Sequence, residues 1–320
     1  YNNTQTIIKN KIKTTLENNL YKGKRKEIKE IQNKVIKCLA QNIDRNNENE
    51  ANLDIEPLTN TEIQNDSNST DYKEYTNNCL EYVLDLEKEG KDEIKSTSKI
   101  EWNFSVEEKK KEKIALIDID ETLLHCTGNI NKGNIPYQKA INIKLPSNQT
   151  IKVGINIRPF WKEAINMIKK KYNIVAYTAS HQSYADSVLD LLDPDKKYFK
   201  YRLYRNNCLL KVIDGNKIYI KDLDILKYDL KNVVIIDNSV LSFAYHLDNG
   251  IPIVPYYDRK NDKYLLIIAA YLSQIADRDD LREINRKIYR LTEMKEKIKD
   301  EHEDQNLKSS PSIEEDQALG

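Results

Sequence analysis

The chain has little cysteine and no pattern in what it has: Cys38, Cys79, Cys126 and Cys208 lie far apart without a CxxC spacing. That argues against a zinc site or a disulfide framework and for reduced thiols in an intracellular protein. Long apolar runs are also missing. The longest unbroken one, Leu265 to Leu272, is far too short to span a bilayer, so no membrane segment is expected in this chain. No signal peptide is visible in a sequence that begins at Tyr1. Net charge is absent as well: Lys plus Arg and Asp plus Glu each number 51, so nothing calls for direct binding of nucleic acid or of an anionic membrane. Glycine and proline number only eight each, from which no function follows.

Charge of both signs is abundant. Hydrophobic residues make up 39% of the 320 residues and charged residues 32%, so a sizeable part of the chain must be solvated surface or disorder. Residues 1–109 are polar and irregular and read as a low-complexity region, mostly disordered or loosely helical. Within it Ile28, Ile31, Val35 and Leu39 recur at helical spacing, residues 41–72 have the composition of a linker, and a second short helix is expected from Cys79 to Lys88.

From Lys110 the texture changes. Ile114 to Ile117, Ile174 to Tyr177 and Val233 to Ile236 are short apolar runs that fit strands buried on both faces of a parallel sheet. Helical patterns lie between them, at Phe160 to Lys171, Gln182 to Leu192 and Leu223 to Tyr228. Strand and helix in alternation predict an α/β doubly wound fold over 110–292. Two alternating segments within 140–157, with a turn at Pro146 to Gln149, predict an inserted β-hairpin. A last strand near Ile253 to Tyr256 and helices from Tyr264 to Ala276 and Asp279 to Arg290 complete the domain. Residues 293–320 are expected to be a solvated helix fraying into a charged tail.

Each of the three apolar runs ends in a polar residue at the same relative place: Asp118, Thr178 and Asp237. In open parallel sheets the ligand crevice lies beyond the carboxyl ends of the strands. Any one of the three alone is as well explained as a helix N-cap. Together with Asp120 and Asn238 they point to a site. Mg²⁺ prefers hard oxygen ligands, and Asp118, the main-chain carbonyl of Asp120, Asp237 and Asn238 offer such a set. Asp118 is the candidate nucleophile, forming an aspartyl-phosphate, and Asp120 the candidate general acid and base. Thr122 is expected to brace the loop by a side-chain hydrogen bond, and Lys221 to stabilise charge on phosphoryl oxygens. A DxDxT string alone can arise by coincidence; its place after an apolar strand gives it weight.

Asp118-Ile119-Asp120-Glu121-Thr122-Leu123-Leu124-His125 resembles the first motif of the haloacid-dehalogenase (HAD) superfamily, and more narrowly of the FCP1/SCP (NLI-interacting-factor-like) small C-terminal-domain phosphatases. Arg158-Pro159-Phe160, Tyr177-Thr178-Ala179-Ser180, Tyr184-Ala185-Asp186, Tyr201 to Arg205, Lys221-Asp222-Leu223 and Asp237-Asn238-Ser239 match further motifs in family order. The resemblance implies a HAD-like sheet and an Mg²⁺-dependent protein serine/threonine phosphatase. It gives Asp118, Asp120, Thr178, Lys221, Asp237 and Asn238 the roles above and puts Tyr184 and Arg205 near the substrate pocket. The implied partner is a phosphoprotein, with the RNA polymerase II C-terminal tail as one candidate, in the nucleus or cytoplasm. The sequence departs from the family at His181, where an apolar residue is common, at Val240 in place of proline, and in a longer stretch between Arg205 and Lys221. A Tim50-like mitochondrial import receptor, catalytically silent on the same fold, is the alternative. Such relatives commonly depart from the acidic motif, which this chain keeps.

Overall fold

The computed structural model describes residues 70–88, 100, 102–132, 135–144, 147–213 and 215–309. The helical spacing at Ile28 to Leu39, the expected linker up to residue 69, Leu145 and Pro146 of the expected hairpin, and the tail from 310 onward lie outside them.

Five strands form one parallel sheet in the order β10-β9-β1-β5-β6: β1 (Lys113–Ile117), β5 (Tyr172–Tyr177), β6 (Tyr201–Leu203), β9 (Val233–Asp237) and β10 (Gly250–Pro252). β1 is central, and the chain adds strands first on one side of it and later on the other. That makes β1 the point where the winding reverses. Alternate side chains explain why its run is wholly apolar: Ala115 and Ile117 enter one core, Ile114 and Leu116 the other. The first core is closed by α3 (Trp161–Lys169), α4 (Gln182–Leu192) and α5 (Tyr264–Ile275). The α/β doubly wound fold expected from the sequence is therefore the observed one.

The second core contains a helix from before the expected boundary at 110. Helix α1 (Thr70–Lys88) buries Cys79, Leu80, Val83 and Leu86 there, and the single turn α2 (Val106–Lys109) precedes β1. At the other end of the chain, α6 (Leu281–Tyr289) is followed directly by α7 (Leu291–Ser309). Lys295 of α7 reaches Glu87 of α1 at 2.6 Å, and Leu291 is buried in the same core. Both α1 and the start of α7 thus belong to the packed domain, whereas the sequence placed them in a loose N-terminal region and a solvated tail. Their apolar residues were legible; the partner that buries them was not.

The inserted hairpin is present as β3 (Lys139–Lys144) against β4 (Thr150–Ile157), and β2 (Leu124–Asn129) makes it a three-stranded antiparallel sheet. Gly154 is required where these strands meet, because a Cβ there would lie 2.3 Å from Thr127 Oγ1 and 2.7 Å from Tyr137 Cβ. A two-stranded unit, β7 (Leu209–Ile213) and β8 (Asn216–Ile220), fills the longer stretch before Lys221. Two expected elements differ. The helix at Leu223 to Tyr228 is a single 3-10 turn, Leu223–Leu226, ended by Lys227 in the left-handed region. The last strand pairs at Gly250–Pro252 rather than at Ile253 to Tyr256; Ile253 N–H still donates to Asp237 O at 3.1 Å, and Pro255 beyond it has no N–H to offer. Among the described residues no helix is long and apolar enough to cross a membrane.

The burial of α1 gives a direct test of the domain's extent. Leu80→Ala should lower unfolding free energy by about 2–5 kcal/mol, the usual cost of truncating a buried leucine. Urea unfolding measures it; an unchanged midpoint would mean that α1 is not part of the core.

Candidate functional site

Register places the site. In β1 and its neighbours, Ile117 pairs with Ala176 of β5 and with Ile236 of β9, so all three strands finish at one level. Asp118 is then the first residue beyond β1, Thr178 follows β5 directly, and Asp237 is the last residue of β9. All three are buried. The main chain fixes two of them further: Asp118 N–H donates to Ile236 O and Thr178 N–H to Leu203 O, both at 3.0 Å.

Lys221 joins the carboxylates. It leaves β8 almost fully buried, and its Nζ lies 2.5 Å from Asp118 Oδ1 and 2.5 Å from Asp237 Oδ2. Its position is set from behind, since Lys221 N–H donates to Ser242 O at 2.6 Å. Burial pulls the ammonium down, but Asp118 and Asp237 outweigh it and hold Lys221 above the ordinary lysine range. Burial pushes the Asp118 carboxyl up; Lys221 opposes that, while Asp237 and Asp120 reinforce it. One ammonium therefore bridges two carboxylates, with Asp120 close enough to act on Asp118. That surplus of hard, negatively charged oxygen suits a divalent cation such as Mg²⁺, for which Asp118, Asp120, Asp237 and half-buried Asn238 are the candidate ligands. Ser239 N–H donates to Asp237 Oδ1 at 2.8 Å, turning the chain so that Asn238 stands at the strand's exit.

Asp120 is held differently. Ser180 Oγ donates to its Oδ2 at 2.7 Å and Tyr184 OH to its Oδ1 at 2.5 Å. Burial first, and the Asp120 charge second, push the Tyr184 phenol well above its ordinary range, so it stays a donor. Thr178 Oγ1 accepts from Ser180 N–H at 3.0 Å, which ties the phosphoryl-binding candidate to the same turn.

The loop carrying the two aspartates is tight. Glu121 has φ 60°, and its N–H donates to Leu124 O at 2.7 Å, while Leu123 N–H returns to Ile119 O at 2.9 Å. A left-handed glutamate is strained, so its surroundings must hold it. The brace is not the one expected from Thr122, whose Oγ1 is buried without a hydrogen-bond partner. Arg158 does that work on the same residue's main chain. Wholly buried, it donates from Nη1 to Thr122 O at 3.0 Å, from Nη2 to Val254 O at 2.8 Å, and from Nε to Asp262 Oδ1 at 2.7 Å.

Of the sequence candidates, Asp118, Thr178, Lys221 and Asp237 meet at one end of the sheet, with Asp120 and Asn238 beside them. Tyr184 and Arg205, expected near a substrate pocket, are engaged within the protein. Arg205 donates from Nε to Ala179 O at 2.6 Å, lies 2.9 Å from His181 Nε2, and stacks over Tyr219 at 4.6 Å. Ser180 and Arg158 carry site contacts for which the sequence suggested no role, although both stand inside recognised motifs.

The chain is similar to known proteins in family, in sequence and in structure. The profile of the NLI interacting factor-like phosphatases matches residues 113–282. CTD small phosphatase-like protein 2 of Dictyostelium discoideum is 40% identical over 172 residues, covering 53% of this chain and 29% of that protein. CTD small phosphatase-like protein 3 of Caenorhabditis elegans is 38% identical over 179 residues, covering 55% of this chain and 59% of that one. The chain thus aligns with only part of either relative. Among solved structures, Fcp1, described as an essential RNA polymerase II CTD phosphatase, is 20% identical with a TM-score of 0.40, covering 63% of this chain and 68% of that one.

The Arg158 brace is testable apart from any activity. Asp262→Ala leaves the buried guanidinium without its carboxylate and should cost about 3–5 kcal/mol. Denaturant unfolding reads it, and a change under about 1 kcal/mol would show that the pair does not hold the loop.

Proposed function

The chain belongs to the NLI interacting factor-like phosphatase family, and from that premise we propose that it is a protein serine/threonine phosphatase working through an aspartyl-phosphate on Asp118. The observation that carries the reading is the convergence of Asp118, Thr178, Lys221 and Asp237 at the carboxyl ends of three adjacent strands.

Lys221 occupies Oδ1 of Asp118, which leaves Oδ2 to attack phosphorus. As that O–P bond forms, the bond from phosphorus to the seryl or threonyl oxygen breaks, and Asp120 delivers its proton to the departing oxygen. Asp120, now a carboxylate, then takes a proton from water as the water oxygen attacks the aspartyl-phosphate. Inorganic phosphate leaves and Asp118 is regenerated. Thr178 and Lys221 hold the phosphoryl oxygens with a hydroxyl and an ammonium already in place, so little reorganisation is needed during transfer. Mg²⁺ fits the acidic end formed by Asp118, the Asp120 carbonyl, Asp237 and Asn238; when bound, it offsets the repulsion between a carboxylate nucleophile and a phosphate dianion.

The substrate class in this reading is a phosphoserine or phosphothreonine protein, and the relatives' names speak of CTD small phosphatase-like proteins. The RNA polymerase II tail is the first to compare with unrelated phosphopeptides. A nuclear or cytoplasmic setting is part of the same reading.

Asp118→Asn should abolish hydrolysis of p-nitrophenyl phosphate and of phosphopeptides while the protein stays folded. EDTA should remove wild-type activity and Mg²⁺ restore it, with Mg²⁺ also raising the melting temperature of the wild type more than that of Asp237→Asn. Mutant activity equal to wild type would rule out the nucleophile, and an enzyme indifferent to EDTA would rule out the metal. A chain inert toward all phosphoesters that binds a mitochondrial presequence would favour the receptor reading.

A further inference from the structure

We propose that Tyr184 and Ser180 are positioning residues that orient the carboxyl group of Asp120 toward the leaving oxygen. The proposal rests on the phosphatase reading above and deepens it by assigning the groups that aim the proton.

A terminal carboxyl rotates about a soft, broadly two-fold torsion, so a general acid on a loop is not oriented by its backbone alone. In this site each oxygen has its own donor, Ser180 on Oδ2 and Tyr184 on Oδ1. Turning the carboxyl group breaks both contacts at once. The two hydroxyls fill two of its roughly four lone-pair positions; one of the others carries the proton donated to the leaving oxygen and, once empty, accepts a proton from the attacking water.

Both donors come from one short piece of chain, the exit of β5 and the first turn of α4. Tyr184 N–H donates to His181 O at 3.1 Å, starting the helix. The turn before it is locked from the β6 side: Arg205 N–H donates to Ser180 O at 3.1 Å, and Arg205 Nε to Ala179 O at 2.6 Å. The segment that presents Thr178 to the phosphoryl group therefore also sets the direction of the acid. Arg205 acts through that turn.

The chemistry supplies a readout that neither a purely structural role nor a contact with the substrate peptide would give. When the phosphorus–oxygen bond breaks, the departing oxygen takes a proton from Asp120 only in proportion to its need. A nitrophenolate leaves readily as an anion; an unsubstituted phenolate or an alkoxide does not. The ratio kcat/KM reports through the first irreversible step, so it senses leaving-group departure without interference from later hydrolysis of the phosphoenzyme.

The experiment measures kcat/KM for a series of substituted phenyl phosphates with wild type, Tyr184→Phe, Ser180→Ala and Ser180→Thr. Misdirecting a general acid costs a sizeable part of its usual contribution. Tyr184→Phe and Ser180→Ala should lower p-nitrophenyl phosphate turnover by less than about threefold and that of phenyl phosphate by about tenfold or more. The dependence on leaving group thus steepens, and Ser180→Thr, which keeps a hydroxyl, should restore the wild-type slope. Equal fractional loss across the series would reduce both residues to structural roles and overturn the proposal. A loss confined to phosphopeptides, with the phenyl series unchanged, would make Tyr184 a substrate contact and also overturn it. If Tyr184→Phe does not fold, the Ser180 pair decides the question alone. A wild-type chain inert toward every ester would instead remove the reaction itself, an outcome distinct from an unchanged slope.

Discussion

One buried ammonium shared between two carboxylates is the constraint on which the rest of the site depends. Lys221 bridges Asp118 and Asp237 at 2.5 Å each, deep at the end of the sheet where charge is costly to bury. The pair it makes with either aspartate is incomplete, because the other remains to be balanced. A site left short of positive charge and rich in hard oxygen is poised for a cation and repels a phosphate dianion without one. It is a poor way to stabilise a fold and a sound way to prepare one for phosphoryl chemistry.

Such an arrangement needs rigid surroundings, and the sheet provides them. β1, β5 and β9 end in register, so three residues far apart in sequence arrive at one level. The loop after β1 is held in a strained conformation at Glu121 by Arg158, whose guanidinium joins Thr122, Val254 and Asp262. The loop after β5 is held by Arg205. Two arginines thus act on main-chain carbonyls, one at each loop, and the catalytic candidates inherit their positions from those contacts. Behind Lys221, the segment Val240–Asn249 supplies Ser242 O and packs in the core that also holds α1.

Much of this was legible in the sequence, and the reasons divide cleanly. The apolar runs at Ile114, Ile174 and Val233 announced buried strands because both faces of a central parallel strand must be apolar, and strand ends carry the polar residues in register. Helix α1 was legible only as a short helix, because its partners, the Val240–Asn249 segment and α7, lie more than 150 residues away. The Arg158 brace and the Ser180 contact were hidden for a related reason: hydrogen bonds to main-chain carbonyls and to distant side chains leave no periodicity behind. Thr122 shows the opposite error. Its hydroxyl matched the motif, but the bond expected of it is not formed, and its carbonyl is the atom that matters.

The roles of Asp118 and Asp120 remain the centre of the account. The most direct measurement is an acid quench during turnover of excess phosphopeptide, followed by borohydride reduction and peptide mass spectrometry. The account predicts that Asp118 is converted to homoserine in proportion to trapped phosphoenzyme, with Asp120 unchanged. Rapid phosphate release with no modification at Asp118, or with modification at another residue, would contradict it.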